Sequence, residues 1–298
     1  MPIGIAAFGL ASRLLAREEG LGLRAGADVP GALLVTGALM LGVYTIVDAE
    51  SWALGALAVA LLAAFVLRQA TAERPLLRLG LLKSRDVAGA NVVQMVAVAG
   101  MLGMSFLAVL YLQRVLGYDA FATGVSFLPI SLAIGVLSLG FSARLIMRFG
   151  ARTVLLPSLA LMAAGLFLLG QAGVDGDYWV DVLPALLLMG VGVGLLLPAL
   201  MTLAMSGVAP EDSGFASGLV NTTQQVGGAF GIAILASVAA DRTGGATDPA
   251  ALVAGYSAAF ELAAALAVAA LVLAVVVLRR RPVVPEAVVD EPAVAVHA

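Results

Sequence analysis

Asn221, Gln224, Gln225, Gly228 and Gly231 are spaced by three, four, seven and ten residues within one apolar stretch. That spacing gathers side chains on one face of a helix. Carboxamides donate and accept hydrogen bonds but do not titrate near neutral pH. Their chemistry is binding, not acid–base catalysis. Counted from Gly214, the amides lie about 10–17 Å along the helix at about 1.5 Å per residue. Amides that deep in an apolar stretch need partners, so the face points to another helix or to a cavity. Gly214/Gly218 and Gly227/Gly231 carry the small-xxx-small spacing of close helix contact. Interhelical hydrogen bonding accounts for such a face, and so does a path for a solute or a proton. The spacing leaves both open.

Glu261 offers the titratable chemistry. It is the only acid well inside an apolar stretch, about five residues past Tyr256. A charge deep in a bilayer costs about 2.5–3.5 kcal/mol on insertion scales, and acids there often mark proton relays. A protonated or outward-snorkelling glutamate is the other reading. Asn91 and Gln94, three apart, make a second polar face, suited to packing or to a path.

Much chemistry is excluded. The chain has no cysteine, so it has no disulfide, thiolate metal site or thiol nucleophile. Its one histidine, His297, is next to the C-terminus, and its one lysine, Lys83, follows no glycine loop of the phosphate-binding kind. No paired carboxylates, histidine or cysteine lie near a membrane interface. The expectation is a protein that is not an enzyme, holds no cofactor or metal, and has no ATPase of its own.

The elements that must position these residues follow from composition. The 298 residues are 62% hydrophobic and 12% charged, against about 25% charged in a typical soluble domain. Soluble folds and nucleic-acid binders fit poorly; lipid is the solvent that suits the chain. Eight apolar runs are long enough to span about 30 Å: Val29–Val47, Trp52–Leu67, Val87–Tyr111, Phe121–Ser142, Thr153–Gly170, Tyr178–Met205, Gly214–Ala240 and Leu252–Leu278. They lack period-2 alternation, so the fold expected is all-α, a polytopic helical membrane protein and not a β-barrel. Pro2–Ala11 is too short to span and lacks a basic lead or cleavage site, so it reads as the end of a partial span. Residues 1–27 are then a partial span and loop, 28–68 two spans, 69–86 a basic loop or an interfacial segment. Residues 87–278 hold six spans, and 279–298 form a disordered tail.

Fourteen of the sixteen lysines and arginines fall on one side if the eight spans alternate; Arg114 and Arg242 are the exceptions. Basic residues stay inside. Both ends of the bundle are therefore expected in the cytoplasm, with the chain in the plasma (inner) membrane. The opposite loops carry Asp48, Glu50, Asp175, Asp177 and Asp181.

Three segments resemble a known family. Arg144-Leu-Ile-Met-Arg148-Phe-Gly150-Ala-Arg152 is similar to the cytoplasmic signature loop of the major facilitator superfamily, Gly-x-Leu-x-Asp-Arg-x-Gly-Arg-Arg/Lys. Arg148, Gly150 and Arg152 match, while Met147 stands at the Asp and Ala143 at the first Gly. Residues 109–133, with Tyr-Leu-Gln-Arg-Val-Leu-Gly-Tyr and then Phe-Leu-Pro, resemble the fourteen-span drug:proton antiporter branch. So do residues 209–231, with Ala-Ser-Gly-Leu-Val-Asn-Thr-Thr-Gln-Gln-Val-Gly-Gly-Ala-Phe-Gly. The resemblance covers essentially residues 2–278, from the end of that branch's sixth span to its C-terminus. It implies that 28–68 are the extra central pair, that 87–278 are the C-terminal six-helix half, and that the N-terminal half is absent. The implied function is proton-coupled efflux of small hydrophobic or cationic compounds, by an incomplete carrier. Asn91, Gln94, Asn221, Gln224, Gln225 and Glu261 are then candidates for its path. Its partners are lipid, protons, a small-molecule substrate, and a missing half or second copy; nucleic acid is not among them. The alternative is a non-catalytic subunit or scaffold that supplies one half of a heteromeric carrier.

Overall fold

The computed structural model describes Gly9 and residues 28–47, 52–72, 75–76 and 79–278. Eight helices in it are long and apolar enough to cross a membrane. They are α1 (Val29–Val47), α2 (Trp52–Thr71), α3 (Arg85–Arg114), α4 (Ala120–Phe149), α5 (Ala151–Gly170), α6 (Tyr178–Ala204), α7 (Ser213–Thr243) and α8 (Pro249–Val277). Each expected span forms one of them, and no strand occurs among the described residues. Apart from Gly9, the expected partial span lies outside the described residues, as do eight of the arginines expected to face inside and the tail. In the 69–86 segment, α2 runs on to Thr71 and a short 3-10 turn occupies Leu79–Lys83.

Local chemistry sets several helix starts. Asp119, Asp177 and Asp248 accept backbone N–H bonds from Ala122, Trp179 and Ala251 at 2.7, 2.7 and 3.0 Å. These are N-caps, each satisfying a donor that the first helical turn leaves open. They begin α4, α6 and α8, the helices that start on the side expected to be external. Part of the acidity of those loops thus has a local cause.

Helices α3 to α8 form one bundle. α3 touches α4, α6, α7 and α8; α6 touches α3, α4, α5 and α7; α5 packs on α8 and α4, and α7 on α8. Exchanging α3 with α6, α4 with α7 and α5 with α8 maps these pairings onto themselves. The bundle is therefore a repeat of two three-helix units, and an odd number of spans per unit inverts one relative to the other. The register agrees. Gly227 and Gly231 of α7 sit on Met95 and Ala99 of α3, and Gly190 and Gly194 of α6 sit on Ile130 and Ile134 of α4. Both pairs run parallel and both meet backbone to backbone, as small residues permit.

The α1–α2 hairpin stands apart and reaches the bundle through α7. Gly42 approaches the Phe230 ring, and Ser237 Oγ donates to the Ile46 carbonyl at 3.1 Å. Buried Asp28 closes the hairpin's base: it accepts from Arg68 Nε at 2.5 Å, Gly31 N at 3.0 Å and Gln69 Nε2 at 3.0 Å. The Arg68 guanidinium holds the Asp28 carboxyl below its ordinary range, against the opposing effect of burial. A carboxylate depressed in this way stabilises the fold above its ordinary pKa, and the effect is lost as pH falls through the depressed value. The base is expected to stay closed from neutral pH to about pH 4 and to loosen below it. Spin labels on L33C and L67C, both at exposed positions, read this as a distance. Broadening already near pH 6 would contradict it.

Candidate functional site

The polar residues of α3 and α7 divide into two sets. In the first, Asn91 and Gln94 are buried, 3% and 2% exposed. Asn91 Nδ2 donates to the Val87 carbonyl at 2.8 Å, and Asn91 Oδ1 accepts from Thr223 Oγ1 at 2.9 Å. Gln94 Nε2 donates to the Val220 carbonyl at 2.9 Å. This set clasps α3 to α7. Of the two roles the sequence allowed for Asn91 and Gln94, their contacts are those of packing.

The second set lies on α7 alone. Asn221 and Gln225 are exposed and Gln224 is half-buried. Among the described residues their amides have no hydrogen-bond partner. Gly218, Thr222 and Ala229 continue the exposed stripe, and Thr222 Oγ1 donates to its own turn at Gly218. The single face expected for Asn221 to Gly231 is in fact two. Gly227, Gly228 and Gly231 are buried and meet α3, while Asn221 and Gln225 look away from it. The reason is geometric. At about 100° per residue, Gly227 and Gly231 lie about 120° and 80° around the helix from Asn221, while Gly228, about 20° away, is buried against the Leu102 side chain.

The signature segment is tighter than a loop. α4 runs to Phe149 and α5 begins at Ala151, so Gly150 alone makes the turn, at φ 84°. Only glycine adopts that angle without strain. Arg144 and Arg148 ride on the end of α4, with Arg148 over the Phe149 ring at 5.2 Å. Arg152 Nη2 donates to the Val275 carbonyl and Arg85 Nη2 to the Val276 carbonyl, both at 2.9 Å. Two arginines from α3 and α5 thus satisfy the last carbonyls of α8, where the helix dipole favours cations. Substituting either by alanine is expected to lower stability by about 0.3–1 kcal/mol, read as a shift in thermal unfolding.

The structure does not bring Glu261 to the α7 amides. It is exposed on the outer face of α8, level with the end of α5: a Cβ placed on Gly170 would lie 3.6 Å from Glu261 Cγ. No cluster of acids, histidines or cysteines able to hold a metal occurs among the described residues. Sequence reasoning missed Thr223 and Asp28. Thr223 sits beside the amides but carries no spacing signal of its own. Asp28 was findable, as an acid directly before an apolar run.

The Major Facilitator Superfamily model matches residues 1–232. The puromycin resistance protein pur8 of Streptomyces alboniger is 37% identical over 92% of this chain and 57% of its own length. The cephamycin export protein CmcT of Amycolatopsis lactamdurans is 34% identical over 100% of this chain and 61% of its own. The tetracenomycin C resistance and export protein of Streptomyces glaucescens is 29% identical over 82% and 46%. The chain thus spans about half to three fifths of the length of these curated relatives.

Proposed function

The chain belongs to the major facilitator superfamily, and from that premise we propose that it forms one wall of a proton-coupled exporter of small hydrophobic or cationic compounds. The observation that carries this reading is the exposed amide stripe of Asn221 and Gln225, with Gln224 beside it. Unpaired amides facing hydrocarbon cost several kcal/mol each. A solute path gives them hydrogen-bonding partners, and neutral amides accept varied guests without needing a fixed charge. Relatives named for resistance to or export of antibiotics support the same class of activity. The second wall would come from a second half or a second copy, with the solute held between them as one rocks against the other. A fold and site of this kind fit transport and not enzymatic turnover.

The test is substitution in the assembled transporter. Asn221→Leu with Gln225→Leu is expected to change the order of preference among exported dyes by about tenfold or more, as lost hydrogen bonds to polar guests would. The proton stoichiometry should be unchanged, since amides do not titrate. An unaltered dye ranking would count against a role in the path.

The proposed orientation has its own test. Asp177 caps α6, so the external probe is better placed at exposed Asp175. An impermeant maleimide is expected to label D175C in intact cells, and K83C only after permeabilisation. The reverse pattern would invert the topology.

A further inference from the structure

A cavity of about 740 Å³ opens where α3, α7 and α8 meet at their ends on the side proposed as external. Its walls are apolar, with Phe106, Leu107 and Leu110 from α3, Ala236 from α7 and Leu252 from α8. The volume lies within the range of ligand sites, about 300–1,000 Å³. Arg114 and Tyr256 also line it, and neither has a partner among the described residues. Arg114 is exposed, as the last residue of α3. Tyr256 is 4% exposed, and a hydroxyl so buried ordinarily finds a partner. Among the described residues, Arg152 Nε is the one side-chain nitrogen or oxygen that is both sealed from solvent and unpartnered. The Tyr256 hydroxyl is therefore not sealed in, and it opens onto the cavity that its residue lines.

The two groups stand at different levels. Gly89 and Gly100 of α3 face Val277 and Ala263 of α8, so these helices run antiparallel. Counting along both from Gly100 and Ala263 puts Tyr256 level with Leu107, about 10 Å inward of Arg114. From rim to floor the cavity thus presents a guanidinium, then a hydroxyl, then the exposed ring of Phe106 beside Ala236. Thr243 is already engaged, its Oγ1 donating to the Ala239 carbonyl at 2.5 Å. Asp241, Arg242 and Asp248 stand at the same end of the bundle, but none of them lines the cavity. Arg114 is the one charged group that does.

We propose that this cavity holds one acidic glycerophospholipid of the phosphatidylglycerol type. Its phosphate lies at Arg114, an ester carbonyl accepts from the Tyr256 hydroxyl, and an acyl chain runs along Phe106 and Ala236. A phospholipid carries these groups in that same order along the membrane normal: phosphate, ester, hydrocarbon. The guanidinium fork of arginine matches the oxygens of a phosphate. No acid on the lining offsets Arg114, so a net anion is favoured. Phosphatidylcholine and phosphatidylethanolamine fit less well, because each would bring its own cation beside the guanidinium. The site is separate from the α7 amides. Binding needs neither transport nor a particular orientation of the chain, so it stands or falls independently of the function proposed above.

Native mass spectrometry of the purified 298-residue chain, released from micelles titrated with dioleoylphosphatidylglycerol or dioleoylphosphatidylcholine, reads the affinity of the retained lipid. One phosphatidylglycerol is expected to be held about tenfold or more tightly than phosphatidylcholine. Arg114→Gln removes the charge at an exposed position and should abolish that preference. Tyr256→Phe keeps the packing and removes only the hydroxyl, and should weaken the ester lipid about three- to tenfold. The diether analogue of phosphatidylglycerol lacks the carbonyls and should bind wild type and Tyr256→Phe alike. Ala240→Phe, at an exposed position on the lining, should displace the lipid by filling its space. A preference for phosphatidylglycerol that survives Arg114→Gln would overturn the proposal. So would equal losses of ester and ether lipid in Tyr256→Phe, or undiminished retention in Ala240→Phe. Displacement by water-soluble glycerophosphoglycerol, which has the headgroup without the chains, would make this a site for free anions and overturn the lipid. Monodisperse, helical protein that holds phosphatidylglycerol no better than phosphatidylcholine would overturn it too.

Discussion

Replacing Gly231 by alanine is expected to destabilise the bundle by about 1–3 kcal/mol, and replacement by leucine to prevent its assembly. A methyl group at Gly231 falls on the carbonyl oxygen and Cα of Ala99. Both are backbone atoms of α3, so no rotamer change relieves the clash and the helices must separate. Gly227 meets the Met95 backbone one turn earlier in the same way. Separation would also part Thr223 from Asn91 and Gln94 from Val220, leaving buried amides unpaired. Gly218, on the same helix, is the control, since a methyl there meets nothing within 4 Å. Alanine is the better helix former by about 0.5–1 kcal/mol. Propensity alone therefore predicts a gain at both positions, whereas packing predicts a loss at Gly231 only. Equilibrium unfolding in mixed micelles separates the two. Equal stability of G231A and G218A would mean that α3 and α7 do not meet as described.

The place of each residue along its helix was legible in the sequence, while its direction around the helix was not. Apolar runs long enough to cross a bilayer are rare for any other reason, so all eight helices could be placed. The expected span ends at Ser142 because hydropathy falls at Arg144, yet α4 continues until Gly150 breaks it. Lateral neighbours are a different matter. Asn91 and Thr223 are 132 residues apart, and nothing in either run names the other. A helix as apolar as α8 also gives little polar contrast between its buried and exposed sides. The side that packs is chosen by small residues, as where Ala263 meets Gly100. The sequence therefore put Glu261 within a span, and only the contacts of α8 put it on the outer face. The amides of α7 were legible as a polar face because polar residues are scarce in a span. The division of that face into a seam and an open stripe required the position of α3.

The second large effect is expected in transport itself: a monomer of this chain should move no substrate. In carriers of inverted three-helix repeats the solute sits where two halves meet, and movement needs both. The described residues contribute one six-helix unit, and the α1–α2 hairpin among them does not supply a second. It is a two-helix element that reaches the bundle by the side of α7 bearing Phe230 and Ser237, not the side bearing Asn221 and Gln225. Those amides then face lipid in the monomer, at a cost of several kcal/mol each, which favours pairing over a stable single copy. In liposomes with an imposed proton gradient, a fluorescent cationic dye is expected to stay put with monomeric protein. It should move once a second unit is supplied, either a complementary half or a tethered second copy. Gradient-dependent movement by a monomer would defeat both this expectation and the reading of the α7 stripe as one wall of two. Movement that appears with a tethered copy and is lost with Asn221→Leu and Gln225→Leu in both copies would locate the path between the facing α7 helices.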